Sequence, residues 1–207
     1  MTEEPAILSE QPIVLASASR ARRAMLERAG VAVVAEAAAV DEEEVKHSFR
    51  AAGLKAEEVA EALAELKGKR ISSRYPGVLV LGADQMLECD GAWFDKPADR
   101  AEARAHLQAL RGRKHRLVSG VVALMNGQRQ WHHVDVATLT MRDFSDAFVD
   151  RYLDAMGDAV LTSVGAYQLE GLGSQLFNRI EGDYFTILGM PLLPVLDYLR
   201  QRRILAS

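Results

Sequence analysis

The apolar run Ile13–Ala16 stops abruptly at Ser17-Ala18-Ser19, after which Arg22, Arg23, Met25, Leu26 and Ala29 recur at helical spacing. A strand passed through a tight turn of small residues into a helix is the opening of an α/β chain. The alternation continues. Residues 32–40 read as a second strand leading into the acidic run Asp41 to Glu44, and residues 56–72 carry Val59, Leu63, Leu66 and Ile71 at helical intervals. Tyr75-Pro76-Gly77 then punctuates the chain, and residues 78–81 read as a buried strand with Gly82, Ala83 and Asp84 at its C-terminal end. Strands and helices that alternate through the first half place the chain in the α/β class.

The second half reads as a helix over residues 101–110 and a hairpin whose strands, 117–125 and 134–141, are joined by the polar segment 126–133. A helix over residues 146–156 follows, then a stretch holding Gly165, Gly171 and Gly173, and a closing helix over 192–200 after Pro191. No internal repeat and no Pro/Ser-rich linker interrupts the 207 residues, so residues 1–207 are read as one domain.

Several function classes are disfavoured early. Lys and Arg number 25 against 29 Asp and Glu, a net charge of −4, and a polyanion-coating protein needs the opposite sign to release counterions from phosphate. The apolar runs 78–81 and 118–125 are far shorter than the roughly 20 residues that span a bilayer. No basic residue precedes Arg20, so the opening Met1-Thr2-Glu3-Glu4 does not read as a signal peptide, and a cytoplasmic location is expected. Cys89 is the only cysteine, which removes internal disulfides and a cysteine-built zinc site. The five histidines lack a metal-binding spacing, with His132 and His133 expected in the hairpin turn. Neither G-x-x-x-x-G-K-[ST], G-x-G-x-x-G nor G-x-S-x-G occurs.

Two clusters carry chemistry. Ser17, Ser19, Arg22 and Arg23 lie where a strand turns into a helix, and free backbone N–H groups with the helix dipole make such a turn an anion site. Arginine adds charge-assisted, often bidentate, bonds to phosphate oxygens. A cation at a helix N-terminus costs about 0.3–1 kcal/mol, a cost that an anionic ligand offsets. The plainer reading is a solvated basic face. The second cluster is Gly82-Ala83-Asp84-Gln85 followed by Asp95-Lys96-Pro97. A carboxylate at a strand end can hold Mg²⁺ or Mn²⁺ or take a proton from water, and Lys96 can neutralise a phosphate. Here the plainer reading is a turn cap and a solvated lysine. The run Asp41 to Glu44 reads as a solvated loop, with metal assistance by Asp41 or Glu42 as its alternative.

Four blocks in order, residues 15–23, 82–85, 95–97 with 101–120, and 165–191, resemble the Maf family of nucleoside triphosphate pyrophosphatases, a likeness running from Ile13 to about Leu199. The resemblance implies an elongated, two-lobed, inosine-triphosphatase-like fold with a mixed sheet and a central cleft, a homodimer, and a divalent cation, Mg²⁺ or Mn²⁺. It implies cleavage between the α- and β-phosphates of a nucleotide, and an association with arrest of cell division. By motif position it makes Ser17, Arg22, Arg23, Lys67 and Lys96 phosphate-site residues and Asp84 the proton acceptor; the metal is expected at the carboxylates already singled out, Asp84 and Glu42. Arg20 stands where the family usually has proline. Gln85 replaces the commoner threonine, and Glu170 replaces the glutamine of pyrimidine-type members, a combination similar to the subfamily acting on 7-methyl-GTP. A carboxylate can accept from both N1–H and the exocyclic amine of guanine, whereas an amide suits uracil or thymine. The rival expectations are a dTTP/UTP pyrophosphatase and a non-catalytic nucleotide-binding inhibitor of septation.

Overall fold

The computed structural model describes residues 11–206. The reading of Met1 to Glu4 lies outside those residues. Among the described residues, no helix is long and apolar enough to cross a membrane.

The chain is a mixed α/β protein. Its elements are β1 (Ile13–Ala16), α1 (Arg20–Arg28), β2 (Val33–Ala35), α2 (Glu42–Ala51), α3 (Ala56–Ser72), β3 (Val80–Cys89), β4 (Ala92–Phe94), α4 (Arg100–Leu110), β5 (Lys114–Met125), β6 (Gln128–Met141), α5 (Asp146–Met156), β7 (Phe177–Glu181), α6 (Tyr184–Ile187) and α7 (Leu192–Gln201). Short 3₁₀ turns fill much of the interval between α5 and β7. Seven strands form one sheet in the order β2-β1-β3-β5-β6-β7, with β4 added to β3. β1 runs parallel to both β2 and β3, whereas β4 on β3 and β7 on β6 are antiparallel.

Several boundaries differ from the sequence reading, each for a physical reason. The second strand shrinks to Val33–Ala35 because β1 offers it only Ile13, Val14 and Leu15 as partners. The acidic run is not a loop. Asp41 caps α2 by accepting from Glu44 N at 3.1 Å, and Glu42, Glu43 and Glu44 occupy the first turn, where the helix dipole favours negative charge. β3 does not stop at Gly82. It continues to Cys89 and turns through Asp90-Gly91, with φ of 51° and 78°, into β4, an Asp-Gly hairpin. The β5–β6 hairpin forms as expected, but its turn is Asn126-Gly127 alone, with φ of 52° and 75°. His132 and His133 are therefore strand residues of β6, whose polar N-terminal half is largely exposed.

The chain divides into two compact units. One holds the residues up to Gln85, Ser119–Asp135 and the chain from Gly189 onward; the other holds Met86–Val118 and Val136–Leu188. In the first, α3 lies with almost no side chain between its backbone and the sheet. A Cβ on Gly82 would stand 1.9 Å from Ala64 O, and one on Gly120 would stand 2.8 Å from the Ala60 carbonyl carbon. Ala60, Ala64 and Gly68 thus form the contact ridge at four-residue spacing. The second unit buries Leu107, Leu110, Val149 and Leu153 of α4 and α5 together with Leu117 and Leu139 of the sheet.

Candidate active site

The first unit gathers four buried polar side chains: Ser17, Arg22, Lys67 and Asp84, with relative exposures of 6%, 8%, 7% and 4%. Each is placed by its own element. β1 ends at Ala16, paired with Gly82, so Ser17 begins the turn and Asp84 lies two residues beyond the last partner that β1 gives β3. Asp84 is in mid-strand rather than at a strand end, which corrects the sequence reading. It nevertheless stands past the carboxyl end of the neighbouring parallel strand, the usual place for a ligand in an α/β sheet.

The turn is organised by its own serines. Ser19 caps α1 by accepting from Arg22 N at 3.3 Å, and Ser17 Oγ accepts from Ser19 N at 3.2 Å. Arg22 then reaches inward. Its Nη1 donates to Ser17 Oγ and to Ala83 O, both at 3.0 Å, and its Nε donates to Gly189 O at 2.7 Å. Burial lowers the pKa of this guanidinium, and the nearby charges of Asp84 and Glu42 act in the opposite direction. Arg23 goes the other way. Successive helix residues diverge by about 100°, so Arg23 is exposed and pairs with Glu27 at 2.7 Å. The two adjacent arginines do not converge on the turn as a pair.

Lys67 comes from the inward face of α3, beside the close approach of Gly68 to the Gly82 backbone. Gly82 and Asp84 share a face of β3 because side chains alternate, and this aims Asp84 at α3. Lys67 Nζ donates to Asp84 Oδ1 at 2.5 Å and lies 2.7 Å from Glu42 Oε1. Asp84 Oδ2 is buried with no hydrogen-bond partner among the described residues. Gln85 faces the opposite side and donates from Nε2 to Ser119 Oγ at 3.1 Å.

Lys96 and Glu170 belong to the second unit. Lys96 is exposed in the loop after β4, and Glu170 is exposed in a turn, without a hydrogen bond or ion pair to another described residue. Among the described residues no group of three or more His, Cys, Asp or Glu side chains could hold a metal ion by itself. Two carboxylates, Asp84 and Glu42, do share one cation, the Lys67 ammonium. Hard oxygen donors of that kind suit Mg²⁺ or Mn²⁺, which commonly take one or two protein carboxylates and complete their shell with phosphate oxygens and water.

Gly189 is the participant that spacing could not reveal. Its carbonyl is 167 positions from Arg22, and its φ of 107° sets the backbone so that an added Cβ would lie 3.3 Å from Arg22 Nε.

Fold and site together define a mixed α/β protein with a buried cluster of two cations and a carboxylate beneath a serine-capped strand-to-helix turn. The chain belongs to the Maf family, whose model, described as Maf-like protein, matches residues 12–202. It is 63% identical over 188 residues to a nucleoside triphosphate pyrophosphatase of Paramagnetospirillum magneticum, covering 91% of this chain and 97% of that one. A protein of the same name from Granulibacter bethesdensis is 58% identical, over 93% of this chain and 98% of its own. A 7-methyl-GTP pyrophosphatase of Rhizobium meliloti is 49% identical, over 91% of this chain and 95% of its own.

Proposed function

We propose that this chain is a nucleoside triphosphate pyrophosphatase that hydrolyses the α–β phosphoanhydride to a nucleoside monophosphate and diphosphate, with 7-methyl-GTP as its preferred substrate. The observation that carries the activity is the buried Asp84 carboxylate, with one oxygen held by Lys67 and the other unpartnered. Its unpartnered Oδ2 is suited to take a proton from a water aimed at the α-phosphorus. The water oxygen bonds to phosphorus, the bond to the bridging oxygen breaks, and diphosphate leaves with the electron pair. Lys67 supplies positive charge, and Arg22 holds the Ser17 turn and the Ala83 carbonyl in place. Phosphoryl chemistry asks mainly for such positioning and charge neutralisation. A divalent cation bound by Asp84 and Glu42 would neutralise phosphate charge.

The substrate preference is assigned to Glu170 on the chemistry of its carboxylate, which suits the two donors of guanine and the positive charge of a methylated base. The name of the Rhizobium meliloti relative supports this choice, and removal of a damaged nucleotide from the pool is the role that follows. The test is diphosphate release with Mg²⁺ from 7-methyl-GTP, GTP, dTTP, UTP and CTP. Fastest turnover of 7-methyl-GTP is expected. A preference for dTTP or UTP would overturn the substrate assignment and keep the activity, and no release from any of the five would overturn both.

A further inference from the structure

Lys67 Nζ lies 2.5 Å from Asp84 Oδ1 and 2.7 Å from Glu42 Oε1. One ammonium therefore bridges two carboxylate oxygens carried by different elements, Asp84 on β3 and Glu42 in the first turn of α2. Two carboxylates brought this close need a positive charge between them, because like charges at short range disfavour joint ionisation. An ammonium is a compact point charge with three donors, and it can serve both oxygens at once. A hard divalent cation uses the same two carboxylates. Asp84 Oδ2 is unpartnered, but a cation there would stand a few ångströms from the ammonium on Oδ1, on a carboxylate only 5% exposed where their repulsion is weakly screened.

We propose that Lys67 is a built-in counter-ion that holds Asp84 and Glu42 together in the metal-free protein and must release both when a divalent cation binds them. This rests on the reading that a divalent cation works with these carboxylates. The backbone of α3 is pinned, because Gly68 and Ala64 abut the Gly82 backbone, so the exchange falls to the flexible four-carbon stem of Lys67. The displaced ammonium is then available to the phosphate oxygens that arrive with the nucleotide. Two consequences follow. Metal alone binds weakly, because it must break two ion pairs. Metal and nucleotide promote each other's binding, since the phosphates offer the released ammonium a new partner.

The test is a calorimetric titration with Mn²⁺ alone, without nucleotide, into the wild-type protein, Lys67→Met and Lys69→Met. Lys69 lies on the same helix and pairs with Glu65 at 2.6 Å, so its removal deletes a charge without touching the two carboxylates. Lys67→Met should bind Mn²⁺ at least about tenfold more tightly than wild type, in line with the one to three decades by which an adjacent opposite charge shifts a carboxylate's affinity for a proton. Lys69→Met should stay within about twofold, its charge being exposed and screened. Affinity in Lys67→Met equal to or below wild type overturns the proposal. A measurement on the wild-type protein covers a variant that does not fold. The slowly exchanging ¹⁵Nζ–H signal of ion-paired Lys67 should vanish at saturating Mg²⁺, and its persistence would also overturn the proposal. Absence of diphosphate release from every nucleotide counts against the catalytic reading, whereas an unchanged Mn²⁺ affinity in Lys67→Met counts against the exchange alone.

Discussion

The guanidinium of Arg22 joins three segments, donating to Ser17 Oγ after β1, to Ala83 O in β3 and to Gly189 O before α7. Lysine keeps the charge but cannot span these acceptors with one ammonium, so Arg22→Lys leaves at least one buried acceptor unpaired. Each such loss costs about 1–3 kcal/mol. Arg22→Lys should therefore lower the denaturation midpoint clearly, while Arg23→Ala removes only an exposed pair worth about 0.3–0.5 kcal/mol and should leave the midpoint nearly unmoved. Equal shifts in the two variants would contradict this division. Asp84→Asn tests the chemistry, since it preserves size and removes the proton acceptor. Turnover should fall about 10²–10⁴-fold if the carboxylate is the general base, and a variant of normal turnover would end that assignment. At this scale the sequence was partly legible. Ser17, Arg22 and Asp84 could be singled out from a turn, a helix start and an apolar run. What Arg22 bonds to could not, because two of its three acceptors are backbone carbonyls far along the chain, and a carbonyl leaves no mark on residue type.

Helix α3 shows what decides the position of Lys67. Its contact ridge of Ala60, Ala64 and Gly68 admits the backbone of β3, and a Cβ on Gly82 would meet Ala64 O at 1.9 Å, a backbone atom that cannot yield. A Cβ on Gly68 would meet Leu124 Cδ1 at 2.2 Å, the tip of a side chain that can rotate. Gly68→Ala also gains about 1 kcal/mol of helix propensity. Gly82→Ala should consequently be much the more destabilising of the two, and it should cost diphosphate release as well, since it pushes α3, the carrier of Lys67, off the strand that carries Asp84. Thermal melts and activity of both variants decide this, and a Gly68→Ala protein that is the worse affected would refute the account. Elements with a strong period and a cap were readable from the sequence. The span of α3 over residues 56–72 and that of α5 over residues 146–156 match the reading, and Ser145 caps α5 by accepting from Phe148 N at 3.2 Å. The course of β3 was not readable. Gly82 resembles a strand terminus when only local propensity is weighed, and it is kept inside a strand by a helix backbone that needs the space. The Asp90-Gly91 and Asn126-Gly127 turns did carry a signal, the pair of residues that tolerates positive φ twice. Polar neighbours obscured it, since an exposed strand such as the first half of β6 resembles a loop in composition.

Across the whole molecule, the two compact units bury ionisable groups in opposite ways. The first pairs its buried Lys67 with the buried Asp84 and the partly exposed Glu42. The second keeps His115 on β5 uncharged, 1% exposed, with Nε2 2.8 Å from the Tyr167 hydroxyl and Nδ1 without a partner among the described residues. Burial pushes the His115 pKa down to about 4, while an unfolded histidine titrates near about 6.5. Between those values the unfolded chain binds the extra proton and the native one does not, so stability is full above pH about 6.5 and falls as the pH drops toward about 4. A gap of that size corresponds to roughly 3 kcal/mol by the time the lower value is reached. His106 is shifted the same way, chiefly by burial, and adds to the slope. The carboxylates held low by their partners, Glu65 beside Lys69 and Asp146 beside Arg111, contribute a separate loss that starts only as the pH falls through the ordinary carboxylate range near about 4.5. The interval from pH 6.5 to 5 therefore isolates the histidines. Urea unfolding followed by tryptophan fluorescence at closely spaced pH values should show stability declining across it, and His115→Gln, which can still partner the Tyr167 hydroxyl but cannot take a proton, should flatten most of that decline. A slope left intact in His115→Gln would move the acid sensitivity to His106, and with it the claim that the buried ring on β5 governs how far below neutrality this fold persists.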